Sequence, residues 1–346
     1  MPDTRFWFAA STEEFLPSEM LEHAKAAAEA GFEGLASSDH FAPWWPEGRG
    51  SQAWVTLSAI GAATPSELPL GTCVTPIVCH YHPGLVAQAF MSMEDLYPGR
   101  VFLGAGSGEA LNEVPFGCDW PPAGEQVERL DKGLEAIRRL WEGETVTMDA
   151  GWFRLKEAKL YTRAKRRPNL YVSAFGPRAA EVAARHGDGL WTLGDPQRAP
   201  QIIEAYKEAC GRLGKEPGEV ILQSGFHLAG DEQAAIAGAK KWKGTQVPEA
   251  YVEDIHDPAE ILRRGEQQMS DEEFAHQGFL VGADAGEHVE RLRQMQQLGA
   301  TVICLQLVGD ADPLGSIRRY GEEVLPQLGG GRQARERRFA RRGART

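Results

Sequence analysis

Eight short apolar segments, each followed by a longer segment with helical periodicity, limit the chain to a parallel α/β architecture. The apolar residues in these segments are consecutive rather than alternating, as expected for strands that are buried on both faces. The predicted strands span residues 5–10, 32–38, 68–74, 100–106, 170–174, 189–193, 220–226 and 301–307. We therefore predict an α/β fold of the (β/α)₈ TIM-barrel type, with a doubly wound open sheet as the alternative.

Two segments are additional to the eight strand–helix units of the predicted barrel. Residues 146–160, after the fourth strand, alternate around an Asp149-Ala150-Gly151 turn and predict a hairpin. Residues 244–277, after the seventh strand, are polar and irregular, and a small extra strand is predicted at 279–281. We expect one domain over 1–328, with insertions after strands 4 and 7.

The last residues differ in composition from the rest of the chain. Three glycines at 329–331 are followed by seven arginines. We expect a basic disordered tail over 329–346; an RNA- or membrane-binding arm is the alternative.

Charge and cysteine usage narrow the class of partner. The formal net charge of −12 over 346 residues disfavours nucleic acid and anionic membranes as partners. The chain has no apolar run of about 18 residues and no signal-peptide pattern, so we expect a cytoplasmic protein. The five cysteines are odd in number and form no CxxC pair, which predicts free thiols and neither a disulfide framework nor a metal site.

Polar residues directly after barrel strands are the first candidates for chemistry, because active sites form at the carboxyl ends of the strands. Asp39 and His40 follow the second strand, and Trp44 and Trp45 lie between prolines in the next loop. This pattern favours His40 as a general base near neutral pH, with tryptophans forming the wall of the site. In the alternative, Asp39 caps the next segment and His40 has no catalytic role.

A glycine-rich stretch follows the fourth strand. Residues 104–113 read GAGSGEALNE, which fails the G-x-G-x-x-G dinucleotide pattern because Glu109 occupies the third glycine's place. A buried glutamate there is a candidate acid with a raised pKa. A structural salt bridge is the alternative for Glu109.

Two further strand ends are weaker candidates for binding. The stretch 71–76 (GTCVTP) has small residues that permit close approach of a flat ligand or mark a bulge. The stretch 173–178 (SAFGPR) leads into a helix whose N-terminus offers backbone N–H groups to a phosphate, or is an ordinary turn.

Four segments together resemble one known family. They are Ser38-Asp39-His40, the Pro43-Trp44 pair, the stretch 96–104 (LYPGRVFLG) and the stretch 108–113 (GEALNE). They resemble the deazaflavin-dependent glucose-6-phosphate dehydrogenases of the bacterial-luciferase-like barrels. The resemblance covers about residues 5–328 and is strongest over 39–113.

The resemblance implies coenzyme F420, an 8-hydroxy-5-deazaflavin that carries hydride. Asp39 would contact the ring, and Cys73 and Val74 would form a non-proline cis peptide behind it. The other residues that the resemblance assigns to cofactor binding are Ser107, Gly108, Glu109, Asn112, Ala174, Phe175, Gly176 and Pro177.

The resemblance also implies roles in catalysis. His40 would be the base that takes the alcohol proton, Glu109 the acid that protonates the reduced ring, and Trp44 a residue that steadies the substrate. A homodimer is expected as well.

The chain departs from this family at the substrate phosphate. Val252 and Gly278 stand where a lysine and an arginine are expected, and the loop 192–197 lacks the second lysine. Each lost charge-assisted contact is worth roughly 1.5–3 kcal/mol, so tight binding of glucose 6-phosphate is not expected. Cations that could form a relocated anion site are Arg49, Lys241, Lys243 and Arg263.

We therefore expect an F420-dependent dehydrogenase that oxidises a sugar, a polyol or another small alcohol. The alternatives are a reductase that uses reduced F420, a luciferase-like monooxygenase that uses flavin mononucleotide, a hydrolase without a redox cofactor, and a non-catalytic cofactor-binding protein.

Overall fold

A computed structural model describes residues 4–331, so the predicted arginine-rich tail from 332 onward lies outside the described residues. The strands are β1 (Arg5–Ala10), β2 (Leu35–Ser37), β3 (Leu70–Thr72), β4 (Thr75–Pro76), β5 (Val101–Gly106), β6 (Val146–Asp149), β7 (Arg154–Ala158), β8 (Asn169–Ser173), β9 (Gly189–Leu193), β10 (Glu219–Leu228), β11 (Leu280–Gly282) and β12 (Val302–Leu307).

Helices connect these strands. They are α1 (Pro17–Ala30), α2 (Ala53–Ala63), α3 (Pro83–Leu96), α4 (Ala110–Glu113), α5 (Ala123–Glu142), α6 (Pro177–His186), α7 (Ala199–Arg212), α8 (Glu232–Ala239), α9 (Pro258–Gln268), α10 (Asp271–Glu273), α11 (Ala285–Gln297) and α12 (Pro313–Arg319). The short turn α4 had no periodicity to predict it. None of the helices in the described part of the chain is long and apolar enough to cross a membrane.

The main sheet closes on itself. The parallel strands follow the order β10, β12, β1, β2, β3, β5, β8 and β9, and β9 pairs with β10 to complete the ring. The predicted eight-stranded barrel is therefore confirmed, and closure excludes the open doubly wound sheet. The carboxyl ends of all eight strands meet at one rim, which places the loops that follow them side by side.

Aromatic side chains fill part of the barrel interior. Trp7 stacks on Phe102 with ring centroids 4.9 Å apart, and Tyr171 and Trp191 pack around them. All four side chains are at most 5% exposed. These residues come from β1, β5, β8 and β9, so they tie non-adjacent strands together and leave the barrel a packed core rather than a pore.

The two predicted insertions are present. β6 and β7 form the antiparallel hairpin after the fourth barrel strand. The segment between β10 and β12 contains short helices and β11, which pairs with the end of β10. A second apolar cluster lies beneath this segment, where Trp45 contacts Trp242 with ring centroids 5.1 Å apart. The insertion therefore packs against the loop after β2, close to the barrel rim.

The prediction that all five cysteines are free was wrong for two of them. Cys79 and Cys118 form a disulfide, whereas Cys73, Cys210 and Cys304 are buried free thiols. The two bridged residues are 39 positions apart in sequence, and no local spacing links them. Folding brings their loops together beside Glu113, whose carboxylate accepts a hydrogen bond from the backbone N–H of His80 at 2.7 Å.

Candidate active site

The loops after β2 and β5 place His40, Glu109 and Asn112 next to each other. The Asn112 side chain is fully buried and joins the other two. Its amide nitrogen lies 3.0 Å from Nδ1 of His40 and donates to Oε2 of Glu109 at 3.1 Å. Its amide oxygen accepts the backbone N–H groups of Phe41 and Ala42. Asn112 therefore fixes the predicted base and the predicted acid relative to each other.

His40 is held through one ring nitrogen. Nδ1 contacts the carbonyl oxygen of Ala42 at 3.2 Å as well as the Asn112 amide. The other nitrogen, Nε2, is the one left for proton exchange. Burial lowers the pKa of His40, but the carboxylates of Glu13 and Glu109 raise it more in sum, so the pKa lies above its ordinary value.

A carboxylate that sequence reasoning missed lies beside His40. Oε1 of Glu13 is 3.6 Å from Nε2 of His40, and the Glu13 residue is 1% exposed. Its other oxygen accepts hydrogen bonds from the hydroxyls of Ser38 and Thr12. Because Glu13 follows β1 directly, the rule that chemistry follows strand ends would have found it.

Glu109 is the N-cap residue of α4 and lies at the carboxyl end of β5. Burial raises the pKa of its carboxyl group, although His40 and the Asn112 amide act in the opposite direction. A raised pKa favours a carboxyl group that keeps its proton for donation, which is the property required of a general acid. No ion pair of Glu109 with lysine or arginine occurs within residues 4–331, so the structural salt bridge has no support there.

Asp39 is buried and surrounded by donors. Oδ2 accepts from the hydroxyl of Thr75 at 2.6 Å and from the indole N–H of Trp54 at 3.0 Å, and Oδ1 accepts from Tyr81 at 3.2 Å. Burial raises the pKa of this carboxyl group against these hydrogen bonds. The three partners fix the Asp39 side chain at the end of β2; its contact with a cofactor ring stays a prediction.

Aromatic rings lead from the base toward solvent. The Trp44 ring lies 5.3 Å from the His40 ring and 5.7 Å from the Tyr251 ring. Tyr251 in turn contacts Phe175 at 5.5 Å. Trp44 is 3% exposed, whereas Phe175 is 48% exposed. Trp44 therefore lies beside His40, at the inner end of an aromatic wall.

The loop after β3 has the backbone that the resemblance implies. The Cys73–Val74 peptide bond is cis. A Cβ on Gly106 would come within 2.7 Å of the Val74 side chain, so glycine at the end of β5 leaves room for that side chain. Whether Cys73 and Val74 contact a cofactor stays a prediction.

Six of the residues that the resemblance assigns to cofactor binding follow two neighbouring strands. Ala105 of β5 pairs with Val172 of β8, so Ser107 and Gly108 follow one strand while 174–177 follow the next. Gly176 is the N-cap of α6, and a Cβ built there would meet nothing within 4 Å. The N-terminus of this ten-residue helix is therefore open to a ligand.

The positions of the expected phosphate clamp carry no cation. Val252 is 48% exposed, and the carbonyl oxygen of Gly278 accepts from the Arg291 guanidinium at 3.0 Å. Arg49 is exposed, but the other candidates for a relocated anion site have acidic partners: Lys241 with Glu14 and Asp310, Lys243 with Asp271, and Arg263 with Glu260.

Tyr251 and Trp54 also escaped sequence reasoning. Tyr251 comes from the irregular insertion, whose path over the barrel has no periodic signal. Trp54 lies in α2, and a tryptophan in a helix is usually interpreted as a residue that packs against the core. Only the fold places their side chains beside Trp44 and Asp39, so no pattern in the sequence pointed to them.

The closed barrel, with a cluster of titratable side chains at the carboxyl ends of its strands, is the arrangement of a (β/α)₈-barrel enzyme. The family model described as luciferase-like monooxygenase matches residues 4–302. The chain belongs to this family, on the branch that contains the F420-dependent glucose-6-phosphate dehydrogenases.

Individual relatives place the chain more closely. It is 34% identical to an F420-dependent glucose-6-phosphate dehydrogenase of Microbacterium testaceum (strain StLB037), over 94% of this chain and 97% of that one. It is 36% identical to an F420-dependent hydroxymycolic acid dehydrogenase of Mycobacterium tuberculosis (strain ATCC 25618 / H37Rv), over 92% and 86% of the chains. A solved F420-dependent secondary alcohol dehydrogenase in complex with an F420-acetone adduct superposes with a TM-score of 0.88 at 29% identity, covering 94% and 99%.

Proposed function

We propose that this protein is an F420-dependent dehydrogenase that oxidises an alcohol carbon to a carbonyl. The observation that carries the proposal is the Asn112 amide, which holds a histidine with a raised pKa and a glutamate with a raised pKa in one buried cluster. Alcohol oxidation requires a base for the hydroxyl proton and a second group that can supply a proton on the cofactor side. Relatives whose names include F420-dependent dehydrogenase support the assignment.

The residues at the rim fit a deazaflavin with a phosphate-bearing tail. The open N-terminus of α6 presents backbone N–H groups to a phosphate, with Gly176 leaving the approach clear. Ser107 and Gly108 lie on the adjacent strand end. Val74, whose side chain lies beside Gly106, and the buried Asp39 follow the adjacent strands β3 and β2. These residues would hold the cofactor.

When bound, F420 would supply the hydride acceptor for the alcohol carbon. Nε2 of His40 removes the hydroxyl proton, so that the carbinol becomes a carbonyl as the C–H bond breaks. The Glu13 carboxylate, 3.6 Å away, stabilises the imidazolium that forms. Glu109 would hold the carboxyl proton that the cofactor takes up together with the hydride, so that the alcohol proton stays on His40 and the reduced cofactor is charge-balanced. The Trp44 ring, beside His40, excludes water from the substrate carbon.

A binding titration tests the cofactor assignment. The purified protein is titrated with oxidised F420 and, separately, with flavin mononucleotide, while intrinsic tryptophan fluorescence is followed. We expect saturable quenching by F420 at low concentrations and none by flavin mononucleotide over the same range. Selective binding of flavin mononucleotide would instead assign the protein to the monooxygenases, and binding of neither would remove the redox proposal.

The pH profile of alcohol oxidation should report His40. Because the base must be neutral, kcat/KM is expected to rise with pH through a pKa above the ordinary histidine value of about 6.5. Glu13→Gln removes a carboxylate that raises the pKa of His40, so the rise should move to lower pH. The exposed Glu216→Gln, beyond the end of α7, serves as the control and should leave the profile in place. An unshifted profile in Glu13→Gln would contradict the proposed pairing.

Substrate, assembly and compartment are proposals that rest on the resemblance and on composition. The substrate is a sugar, a polyol or another small alcohol, and it does not depend on a phosphate clamp for binding. The assembly is a homodimer, which light scattering of the purified protein tests. The three buried free thiols suit a cytoplasmic protein. The Cys79–Cys118 bridge argues the other way, and thiol labelling of protein extracted under acidic quench decides between them.

A further inference from the structure

Three large apolar side chains are exposed in segments near the carboxyl rim of the barrel. They are Phe175, Leu193 and Val252, which are 48%, 40% and 48% exposed. We call these three residues the rim patch; Phe175 is also among the residues assigned to cofactor binding, so the variant that tests the patch is made at Val252. Ser173 of β8 pairs with Trp191 of β9, so Phe175 and Leu193 each lie two residues further along neighbouring strands. Val252 follows Tyr251, whose ring contacts Phe175.

The rim patch is continuous with the proposed catalytic base. Ring contacts at 5.3, 5.7 and 5.5 Å connect His40 to Trp44, Trp44 to Tyr251 and Tyr251 to Phe175. A substrate whose hydroxyl reaches His40 would therefore extend its remaining part along these rings to the rim patch. Large apolar side chains exposed next to a catalytic cleft mark a binding groove more often than scattered apolar surface does.

The charges around this path disfavour an anionic or highly polar substituent. Glu13, Asp39 and Glu109 are acidic groups near the inner end of the path. Lys241 and Lys243, the lysines of the neighbouring insertion, are held by acidic partners. Val252 places an apolar side chain where a phosphate clamp would need a lysine. Arg49 is exposed, but Phe175, Leu193 and Val252 themselves present only hydrocarbon surface, which a hydrocarbon group would cover and a phosphate would not.

We infer that the alcohol substrate carries an apolar substituent, an alkyl chain or an aryl group, which lies along Trp44 and Tyr251 and ends against the rim patch. The inference rests on the proposed function, because it assigns the part of the substrate that does not react. It narrows the substrate class from small alcohols in general to alcohols with a hydrocarbon arm, and it excludes free and phosphorylated sugars as good substrates.

A chain-length series tests the inference. Reduction of F420 is followed with 2-propanol, 2-butanol, 2-hexanol and 2-octanol, alongside glucose, glucose 6-phosphate and sorbitol. Burial of each further methylene should raise kcat/KM by about two- to fourfold until the chain reaches solvent. The sugars and the polyol should react at least tenfold more slowly than 2-octanol. Equal kcat/KM along the series, or a preference for the sugars, overturns the inference.

A charged residue in the rim patch should remove the chain-length effect. Val252→Lys is expected to lower kcat/KM for 2-octanol about tenfold and to leave 2-propanol within about twofold, because only the longer chain reaches residue 252. Leu213→Lys is the matched control: Leu213 is also 48% exposed but lies at the end of α7, before β10 begins at the other end of the barrel. An unchanged slope in Val252→Lys contradicts the assignment of this residue.

Two further outcomes are distinguishable. If F420 does not bind, the proposed function fails and takes the inference with it. If F420 binds and a sugar or sorbitol is oxidised while none of the alkanols is, the apolar assignment alone fails. Light scattering of Val252→Lys identifies a third outcome. If the variant is a monomer, the unchanged protein is a dimer, and the dependence of kcat/KM on chain length is intact, then the rim patch contacts a second copy of the chain and not the substrate.

Discussion

His40→Ala is expected to lower kcat for alcohol oxidation by about 10²–10⁴-fold, the usual contribution of a positioned general base. The physical reason is that Nε2 of His40 is the ring nitrogen left free by Ala42 and Asn112, and no other imidazole contacts this cluster within residues 4–331. F420 affinity should change little, because the proposed ring and tail contacts lie on other residues. The loss is measured by steady-state reduction of F420, with the affinity measured by fluorescence titration.

Added imidazole distinguishes a chemical role of His40 from a structural one. A small base can occupy the space left by the ring, so imidazole should restore part of the activity of His40→Ala. His256→Ala is the control, because His256 is half-exposed and paired with Asp254. It should retain full activity and show no response to imidazole. A His40→Ala enzyme that keeps wild-type kcat would remove His40 from the mechanism.

Glu109→Gln is expected to lower kcat for alcohol oxidation about 100-fold. Glutamine keeps an oxygen that can accept the Asn112 amide hydrogen, so the geometry of the cluster should persist. The side chain can no longer donate a carboxyl proton, which is the role that its burial and raised pKa favour. Turnover and F420 affinity are measured as for His40→Ala.

The matched control for Glu109 is another buried glutamate with a raised pKa. Glu94 is fully buried in the last turn of α3 and accepts the backbone N–H groups of Gly99 and Val101. It lies next to the start of β5, at the opposite end of that strand from Glu109. Glu94→Gln should reduce thermal stability and leave kcat within about twofold. Equal losses of kcat in the two variants would indicate that Glu109 has only a structural role.

The barrel strands were predictable because strands that are buried on both faces consist of consecutive apolar residues. The predicted bounds of the first and sixth strands agree with β1 and β9, and the eight strand–helix units lead to the closed barrel. His40 and Glu109 were predicted as candidate site residues because they follow strand ends, and Asn112 was predicted only from the family resemblance. Their mutual contacts required the fold, because α4 is a single turn that no periodicity reveals.

Other features could not be predicted because they depend on contacts between distant segments. The Cys79–Cys118 bridge forms where two loops meet over Glu113, and an odd cysteine count indicated free thiols. Tyr251 reaches the site through the path of the insertion across the barrel rim. The contacts of the Asn112 amide with His40, Glu109 and the backbone after His40 were not predicted, and its contact with a cofactor stays a prediction. Glu13 could have been predicted as a site residue, because it lies just after the carboxyl end of β1.

Deuterium transfer tests the central claim most directly. The enzyme is incubated with oxidised F420 and 2-propanol that carries deuterium at the reacting carbon, and the reduced cofactor is analysed by mass spectrometry. Direct hydride transfer predicts one deuterium in each reduced cofactor molecule, with His40→Ala slowing its appearance. Reduced cofactor that contains no deuterium would contradict the account.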